Sequence, residues 1–158
     1  MAKHKILSLR KLSSTLQKLR RKKNKIVFTN GTFDILHTGH LTYLEKARIL
    51  GDILIVGVNS DASVKTYKDP SRPINPVSDR MQILAALECV DYVVEFDEPT
   101  PIRLIKICRP DVLVKGGDWK KDQIAGAKEV ESWGGRVKIL PYLKDRSTTG
   151  ILKKLGIA

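Results

Sequence analysis

From residue 25 onward, short apolar runs rich in β-branched residues alternate with stretches of helical periodicity. The apolar runs are continuous, which is typical of strands buried on both faces of a parallel sheet. They lie at residues 25–30, 52–59, 91–96, 111–116 and 136–142. Helical patterns lie at residues 39–51, 78–89, 101–109, 122–133 and 147–156. This alternation predicts an α/β fold: a Rossmann-like doubly wound parallel sheet of about five strands with helices on both faces.

The positive charge of the chain is concentrated at its N-terminus. The formal net charge is +12, and residues 1–25 contain ten of the 29 Lys and Arg residues and no acidic residue. Leu12, Leu16 and Leu19 recur there at helical spacing, which predicts an amphipathic helix that packs by its leucines. We therefore divide the chain into a basic helical segment, 1–24, and a domain, 25–158. The alternative is that the basic segment binds nucleic acid or an acidic membrane surface.

Several features predict a cytoplasmic protein without a membrane partner. No apolar run approaches the roughly 18 residues of a membrane span, and no apolar secretory core follows the basic N-terminus. Cys89 and Cys108 lie in apolar surroundings without metal-ligand spacing, which indicates two reduced core thiols.

The stretch NGTFDILHTGH, residues 30–40, lies between the first predicted strand and the first predicted helix. Ligands of open parallel sheets bind at the carboxyl ends of the strands. Gly31 permits a tight turn, and Gly39 lies near the helix start, where free N–H groups favour an anion. His37 and His40 are three positions apart and therefore face one side of a helical turn. The pattern predicts a phosphate site in which two imidazoles stabilise a transferring phosphoryl group.

Two other interpretations of the histidine pair stay open at this point. The histidines could be surface side chains beside a turn, or two ligands of a zinc ion, although no third His, Cys or close carboxylate accompanies them. Neither GxxxxGK[ST] nor GxGxxG occurs, so the commonest other phosphate loops are excluded by motif.

The motif His37-Thr38-Gly39-His40, preceded by Gly31-Thr32-Phe33-Asp34, resembles the H-x-G-H signature of the nucleotidylyltransferase superfamily. Further segments resemble the heptose-1-phosphate adenylyltransferases, among them VGVNSDASVK (56–65), RPINPVSDRM (72–81), RPDVLVKGGDW (109–119) and STTGILKK (147–154). The resemblance implies transfer of AMP from ATP to D-glycero-β-D-manno-heptose 1-phosphate by in-line attack on the α-phosphorus. It further implies Mg²⁺ as cofactor, ATP and a sugar 1-phosphate as partners, no nucleic-acid partner, and a homodimer.

Two alternative functions remain. The first is a glycerol-3-phosphate-type cytidylyltransferase, but that group commonly carries Arg-Thr-Glu-Gly before Ile-Ser-Thr-Thr, whereas this chain has YLKDR, residues 142–146, before Ser147. The second belongs to another class: a nucleic-acid-binding or nucleotide-sensing module that uses the basic N-terminal helix.

The resemblance, together with position in the predicted fold, assigns the site residues. Catalytic roles fall to His37, His40 and Lys68. Nucleotide binding falls to Asn30, Gly31, Thr32, Phe33, Gly39, Gly117, Asp118, Ser147, Thr148 and Thr149. Substrate binding falls to Lys65, Arg80 and Arg146, and no residue is assigned to a metal.

Several of these residues have a simpler structural interpretation. Lys65 and Lys68 lie in the polar stretch 60–77, the one long predicted loop, and could be solvated. Arg80 could form a structural ion pair, Asp34 could brace its loop, and the hydroxyls at 147–149 could cap the last helix. Trp119 could pack on the base or cover the sheet edge.

Overall fold

Five parallel strands form a single sheet in the computed structural model, which describes residues 2–117, 119–141, 143 and 146–156. The strands are β1 (Ile26–Gly31), β2 (Ile53–Asn59), β3 (Tyr92–Phe96), β4 (Val112–Gly116) and β5 (Arg136–Leu140). Their order is β3-β2-β1-β4-β5. After β3 the chain crosses back to place β4 beside β1, so the winding direction changes between the carboxyl ends of β1 and β4. The predicted parallel sheet of about five strands is confirmed, and this change of direction marks the expected ligand site.

Seven helices cover the two faces of the sheet in the described part of the chain. They are α1 (Leu9–Arg21), α2 (Thr38–Arg48), α3 (Asp61–Lys65), α4 (Val77–Ala86), α5 (Ile102–Cys108), α6 (Ala127–Ser132) and α7 (Thr148–Lys154). Neighbouring strand residues such as Val27 and Phe28 enter different hydrophobic clusters, as the two-residue period of a strand requires. The sheet is therefore covered on both sides, in the doubly wound arrangement that the sequence predicts.

Helix α1 packs on the sheet through its leucines. Leu12, Leu16 and Leu19 are buried, and the first two belong to the same cluster as the strand residues Ile26 and Phe28. Arg20 also donates a hydrogen bond of 2.7 Å to the carbonyl of Cys108 at the end of α5. This helix is thus continuous with the hydrophobic core, and its other basic residues, Arg10, Lys11, Lys18 and Arg21, are exposed. None of the helices in the described part of the chain has the length and apolarity needed to cross a bilayer.

Three local predictions differ from the structure. The stretch 60–77, predicted as a loop, contains the short helix α3, because the Ser60 hydroxyl caps it by accepting from the Ser63 amide at 3.0 Å. Helix α4 begins at Val77, one residue before the predicted start at Ser78, and Pro76 is its N-cap residue in an extended conformation. The predicted helix 122–133 is divided into a 3₁₀ turn (Lys121–Gln123) and α6, because Gly126 adopts a left-handed φ of 88°.

Candidate active site

A cavity of about 730 Å³ opens where the sheet changes direction. Its wall contains the end of β1, the start of α2, the end of β4, the start of α7 and the segment between α3 and α4. The lining residues are Asn30, Gly31, Thr32, Phe33, Asp34, His37, Gly39, His40, Tyr43, Lys68, Arg72, Lys115, Gly116, Trp119, Leu143, Arg146, Ser147, Thr148 and Thr149. The carboxyl ends of adjacent strands and an anion-favouring helix start therefore face one volume.

The two histidines of the motif stack against each other at the start of α2. Their ring centroids are 3.9 Å apart with an interplanar angle of 28°, and His40 also contacts the Phe33 ring at 5.4 Å. The Nδ1 atoms of both rings are buried and have no hydrogen-bond partner among the described residues. Because buried polar atoms normally have partners, these two nitrogens are the expected contacts of a bound ligand.

The surroundings of both imidazoles favour the neutral form in the free protein. Burial, followed by the charge of Arg146, lowers the pKa of His37. Burial, the neighbouring His37 and Lys68 lower the pKa of His40 to about 4. Each neutral ring can donate one hydrogen bond, and an anionic ligand would oppose the repulsion that lowers both pKa values.

Asp34 ties the segment before α4 to the cavity wall. Its carboxylate accepts from Arg72 Nε at 2.6 Å and from the amides of Ile74 and Asn75 at 2.9 and 2.8 Å. Burial alone would raise the pKa of Asp34, but these donors outweigh it and hold the pKa below its usual value. The structure thus agrees with the bracing role. Arg72 Nη2 is buried without a hydrogen-bond partner among the described residues, so its donors stay unsatisfied in the free protein.

Arg80 is a structural residue and does not line the cavity. Its side chain is buried, with Nη1 donating to the Thr32 carbonyl at 2.6 Å. Its Nη2 donates to the Asn59 carbonyl at 2.8 Å and forms an ion pair with Asp61 at 2.7 Å. These bonds fit the ion-pair alternative rather than substrate binding, since a guanidinium that is removed from water needs partners for its donors. Lys65, the last residue of α3, is exposed and also lies outside the cavity lining.

The model of the cytidylyltransferase-like family matches residues 28–153 of the chain. The chain belongs to the cytidylyltransferase-like family. It is 52% identical over 144 residues to the bifunctional protein HldE of Syntrophotalea carbinolica, covering 91% of this chain and 29% of that protein. It is 54% identical over 150 residues to HldE of Ectopseudomonas mendocina, covering 95% and 32%. The chain thus spans about three tenths of the length of these relatives.

Two solved structures resemble the fold of this cytidylyltransferase-like protein. The lipopolysaccharide core biosynthesis protein from Thermoplasma volcanium has a TM-score of 0.64 and 30% identity, covering 77% of this chain and 98% of that one. The pantoate-β-alanine ligase of Francisella tularensis has a TM-score of 0.61 and 20% identity, covering 92% and 74%, and this likeness concerns the fold alone. The family confirms the predicted nucleotidyltransferase, and the solved structures confirm the predicted Rossmann-like α/β fold.

Most residues that the sequence assigns to the nucleotide lie at the cavity of this cytidylyltransferase-like domain. Those in the lining are Asn30, Gly31, Thr32, Phe33, Gly39, Ser147, Thr148 and Thr149, together with His37, His40, Lys68 and Arg146. Ser147 caps α7, because its hydroxyl accepts from the Gly150 amide at 3.0 Å. Thr149 also lines the cavity. Helix capping by Ser147 and ligand binding by Thr149 are therefore compatible.

The sequence assigns Gly117 and Asp118, in the loop after β4, to nucleotide binding, but Gly117 does not line the cavity. Gly117 has a left-handed φ of 98° and donates its amide to the Leu140 carbonyl at 3.0 Å, whereas Gly116 lines the cavity. Asp118 lies outside the described residues. Trp119 is 46% exposed at the cavity rim, where an aromatic face is accessible to a ligand.

Sequence reasoning missed three cavity residues. Lys115 is half-buried in β4, with Nζ 3.2 Å from Asn30 Oδ1, and burial lowers its pKa to about 8. The sequence signal for Lys115 was a lysine at the carboxyl end of an otherwise apolar strand.

Tyr43 follows His40 by three positions and hence shares its helix face. Its hydroxyl forms a hydrogen bond of 2.6 Å with Thr29 Oγ1. No local sequence pattern marks Arg72, because only its hydrogen bond to the distant Asp34 brings it to the cavity wall.

Proposed function

We propose that the protein transfers the AMP moiety of ATP to D-glycero-β-D-manno-heptose 1-phosphate, giving ADP-heptose and pyrophosphate. The observation that carries the proposal is the convergence of unpaired hydrogen-bond donors and cations on one cavity. His37, His40, Arg72 and Lys68 all line this volume, and the Nδ1 atoms of both imidazoles and Nη2 of Arg72 have no hydrogen-bond partner among the described residues. At about 730 Å³ the cavity has the size of a small-molecule site.

The reaction needs little acid–base chemistry from the protein. An oxygen of the acceptor phosphate forms a bond to the α-phosphorus of ATP. The bond from that phosphorus to the α,β-bridging oxygen breaks, and pyrophosphate leaves with the electron pair. Because the nucleophile is already an anion, the protein's tasks are positioning and neutralisation of negative charge.

The cavity residues are suited to those two tasks. His37 and His40 would donate hydrogen bonds to the oxygens that gain charge at the α-phosphorus and its leaving group. Lys68 and Arg146 would neutralise the β- and γ-phosphates, with the Thr149 hydroxyl as a further donor. Partial burial, the charge of Arg72 and that of Arg80 lower the pKa of Lys68, while Asp34 raises it. A desolvated ammonium of this kind binds an anion more strongly than a hydrated one.

The preference for ATP and a heptose phosphate rests on similarity. The family name alone would also allow a cytidylyltransferase that acts on glycerol 3-phosphate. The identity to HldE proteins, together with the segments that resemble heptose-1-phosphate adenylyltransferases, favours adenylyl transfer. The likeness to a lipopolysaccharide core biosynthesis protein supports a role in making that glycan. We further propose that the enzyme is a cytoplasmic homodimer, as the sequence and its resemblance imply.

Magnesium enters the proposal with the nucleotide. The described residues contain no group of three or more His, Cys, Asp or Glu side chains placed to hold a metal ion. Asp34, the one carboxylate in the described lining of the cavity, already accepts from Arg72 and two backbone amides. These residues therefore do not fit a protein-held Mg²⁺ site, and Mg²⁺ would be bound by the triphosphate and water.

The proposal is tested by pyrophosphate release with ATP or CTP, each combined with heptose 1-phosphate or glycerol 3-phosphate. Release only with ATP and the heptose phosphate is expected. His40→Ala should lower kcat by roughly 100-fold or more, the scale of a lost transition-state donor. A folded His40→Ala protein with near wild-type turnover would exclude the catalytic role of this residue.

A further inference from the structure

A second cavity adjoins the first across the ends of β1 and β4. Its volume is about 330 Å³, and it shares Asn30, Gly31, Thr32, Lys115 and Trp119 with the first cavity. The remainder of its wall comes from the end of β2, Tyr67 after α3, the residues before α5 and the segment before α6. Lys115 is thus located on the wall between two compartments that are each large enough for part of a ligand.

Lys115 is the only charged residue among the described residues that line the second cavity. The rest of the described lining combines neutral polar residues, such as Asn59, Tyr67 and Gln123, with prolines, the Trp119 indole and aliphatic side chains. This composition suits a molecule with a neutral, hydroxylated body and a single anionic group directed at the wall. A sugar phosphate has that chemistry.

The Lys115 ammonium has no acidic partner among the described residues. Its hydrogen bonds there go to the carbonyl and side-chain oxygens of Asn30, at 3.5 and 3.2 Å. An ammonium has three donors, so at least one remains for a ligand. Burial disfavours the charged form and lowers the pKa of Lys115 to about 8, which still leaves it mostly charged at neutral pH. A partly desolvated cation without an acid is a favourable place for an anion.

We infer that Lys115 binds the phosphate of the acceptor and that the hydroxylated part of the acceptor occupies the second cavity. This inference rests on the proposed function and adds the location of the second substrate. Because Lys115 lines both cavities, a phosphate bound to it lies beside the nucleotide phosphates in the first cavity. Its charge would also reduce the repulsion between the two anions that must approach each other.

The test compares steady-state kinetics of the wild type, Lys115→Met and Lys115→Arg, with Lys128→Met as the matched control. Lys128 is an exposed lysine of α6 outside both cavity linings. Lys115→Met should raise the KM for heptose 1-phosphate about 10- to 100-fold, the scale of a lost hydrogen bond to a charged group. The KM for ATP should change less than about threefold, and Lys115→Arg should recover most of the loss. Thermal unfolding establishes that each variant is folded.

Two outcomes with active wild-type enzyme would overturn the inference. An unchanged KM for heptose 1-phosphate in Lys115→Met would remove Lys115 from the acceptor site. A selective rise in the KM for ATP would assign Lys115 to the nucleotide instead. Should Lys115→Met fail to fold, Lys115→Gln takes its place in the same comparison.

A separate binding experiment distinguishes failure of the inference from failure of the proposed function. Wild-type protein without turnover of heptose 1-phosphate would contradict the proposed function. Calorimetric titration of mannose 1-phosphate, with a non-hydrolysable ATP analogue bound, then decides the role of Lys115. At least tenfold weaker binding to Lys115→Met than to the wild type supports the inference. Equal affinity, or no binding to the wild type, overturns it.

Discussion

The partly buried His40 makes the stability of the free protein depend on pH below neutrality. Its pKa is about 4 in the folded chain, against an ordinary value of 6.5. The unfolded chain therefore binds a proton between these values while the folded chain does not. The contribution of His40 to the free energy of unfolding is thus fully present above pH 6.5 and is lost as the pH falls towards 4.

The magnitude follows from the shift in pKa. Linkage gives a loss of about 2 kcal/mol between pH 7 and pH 5. Solvent reaches the ring through the open cavity, and this screening reduces the expected loss to about 1 to 2 kcal/mol. That amount is a noticeable part of the roughly 5 to 15 kcal/mol by which a domain is stable.

Urea unfolding at pH 7, 6 and 5 measures this effect when the wild type is compared with His40→Asn. Asparagine keeps a planar polar group but does not titrate in this range. The wild type should lose about 1 to 2 kcal/mol more than His40→Asn between pH 7 and 5. Saturating ATP should reduce the difference, because its phosphates favour the protonated ring. Parallel stability profiles for the two proteins would refute the placement of His40 in a desolvated, positively charged site.

Three further substitutions have outcomes that the contacts define. Gly39→Ala would place a Cβ 2.9 Å from ring atoms of His37 and so displace this ring. The rate of pyrophosphate release should therefore fall at least about tenfold in a protein of unchanged stability. Unchanged turnover would contradict this packing. Arg80→Met should lower the free energy of unfolding by about 3 to 5 kcal/mol in urea titration, since it leaves the carbonyls of Thr32, Asn59 and Asn75 without their donor. A loss below about 1 kcal/mol would contradict its structural role. Asp34→Ala leaves the Arg72 guanidinium without its carboxylate partner. This substitution should destabilise the protein by about 3 kcal/mol and raise the KM for ATP. A normal KM for ATP would show that Arg72 does not contact the nucleotide.

The sheet and the position of the histidine pair could be predicted from the sequence because both depend on local patterns. Continuous β-branched runs predict buried parallel strands, and the change from strand to helix around residues 30–40 places His37 and His40 at a carboxyl edge. The leucine spacing in α1 likewise predicts which face of the helix is buried. Each of these inferences needs only the neighbouring residues and the period of the element.

The remaining features depend on contacts between residues far apart in the chain. Arg80 has the same local sequence whether it binds a substrate or an ion-pair partner, and only its bonds to Thr32, Asn59 and Asp61 decide between them. Arg72 reaches the cavity through a carboxylate 38 positions away. The position of Lys115 between two cavities likewise depends on residues that are distant in the sequence.

The most direct test of the proposed activity is a competition in one vessel. The purified protein is incubated with Mg²⁺, equimolar ATP and CTP, and heptose 1-phosphate, and the products are identified by mass spectrometry. We expect ADP-heptose and pyrophosphate as the products, and very little of either from His40→Ala. Formation of CDP-heptose as the main product, or of no nucleoside diphosphate sugar at all, would contradict the proposed adenylyl transfer.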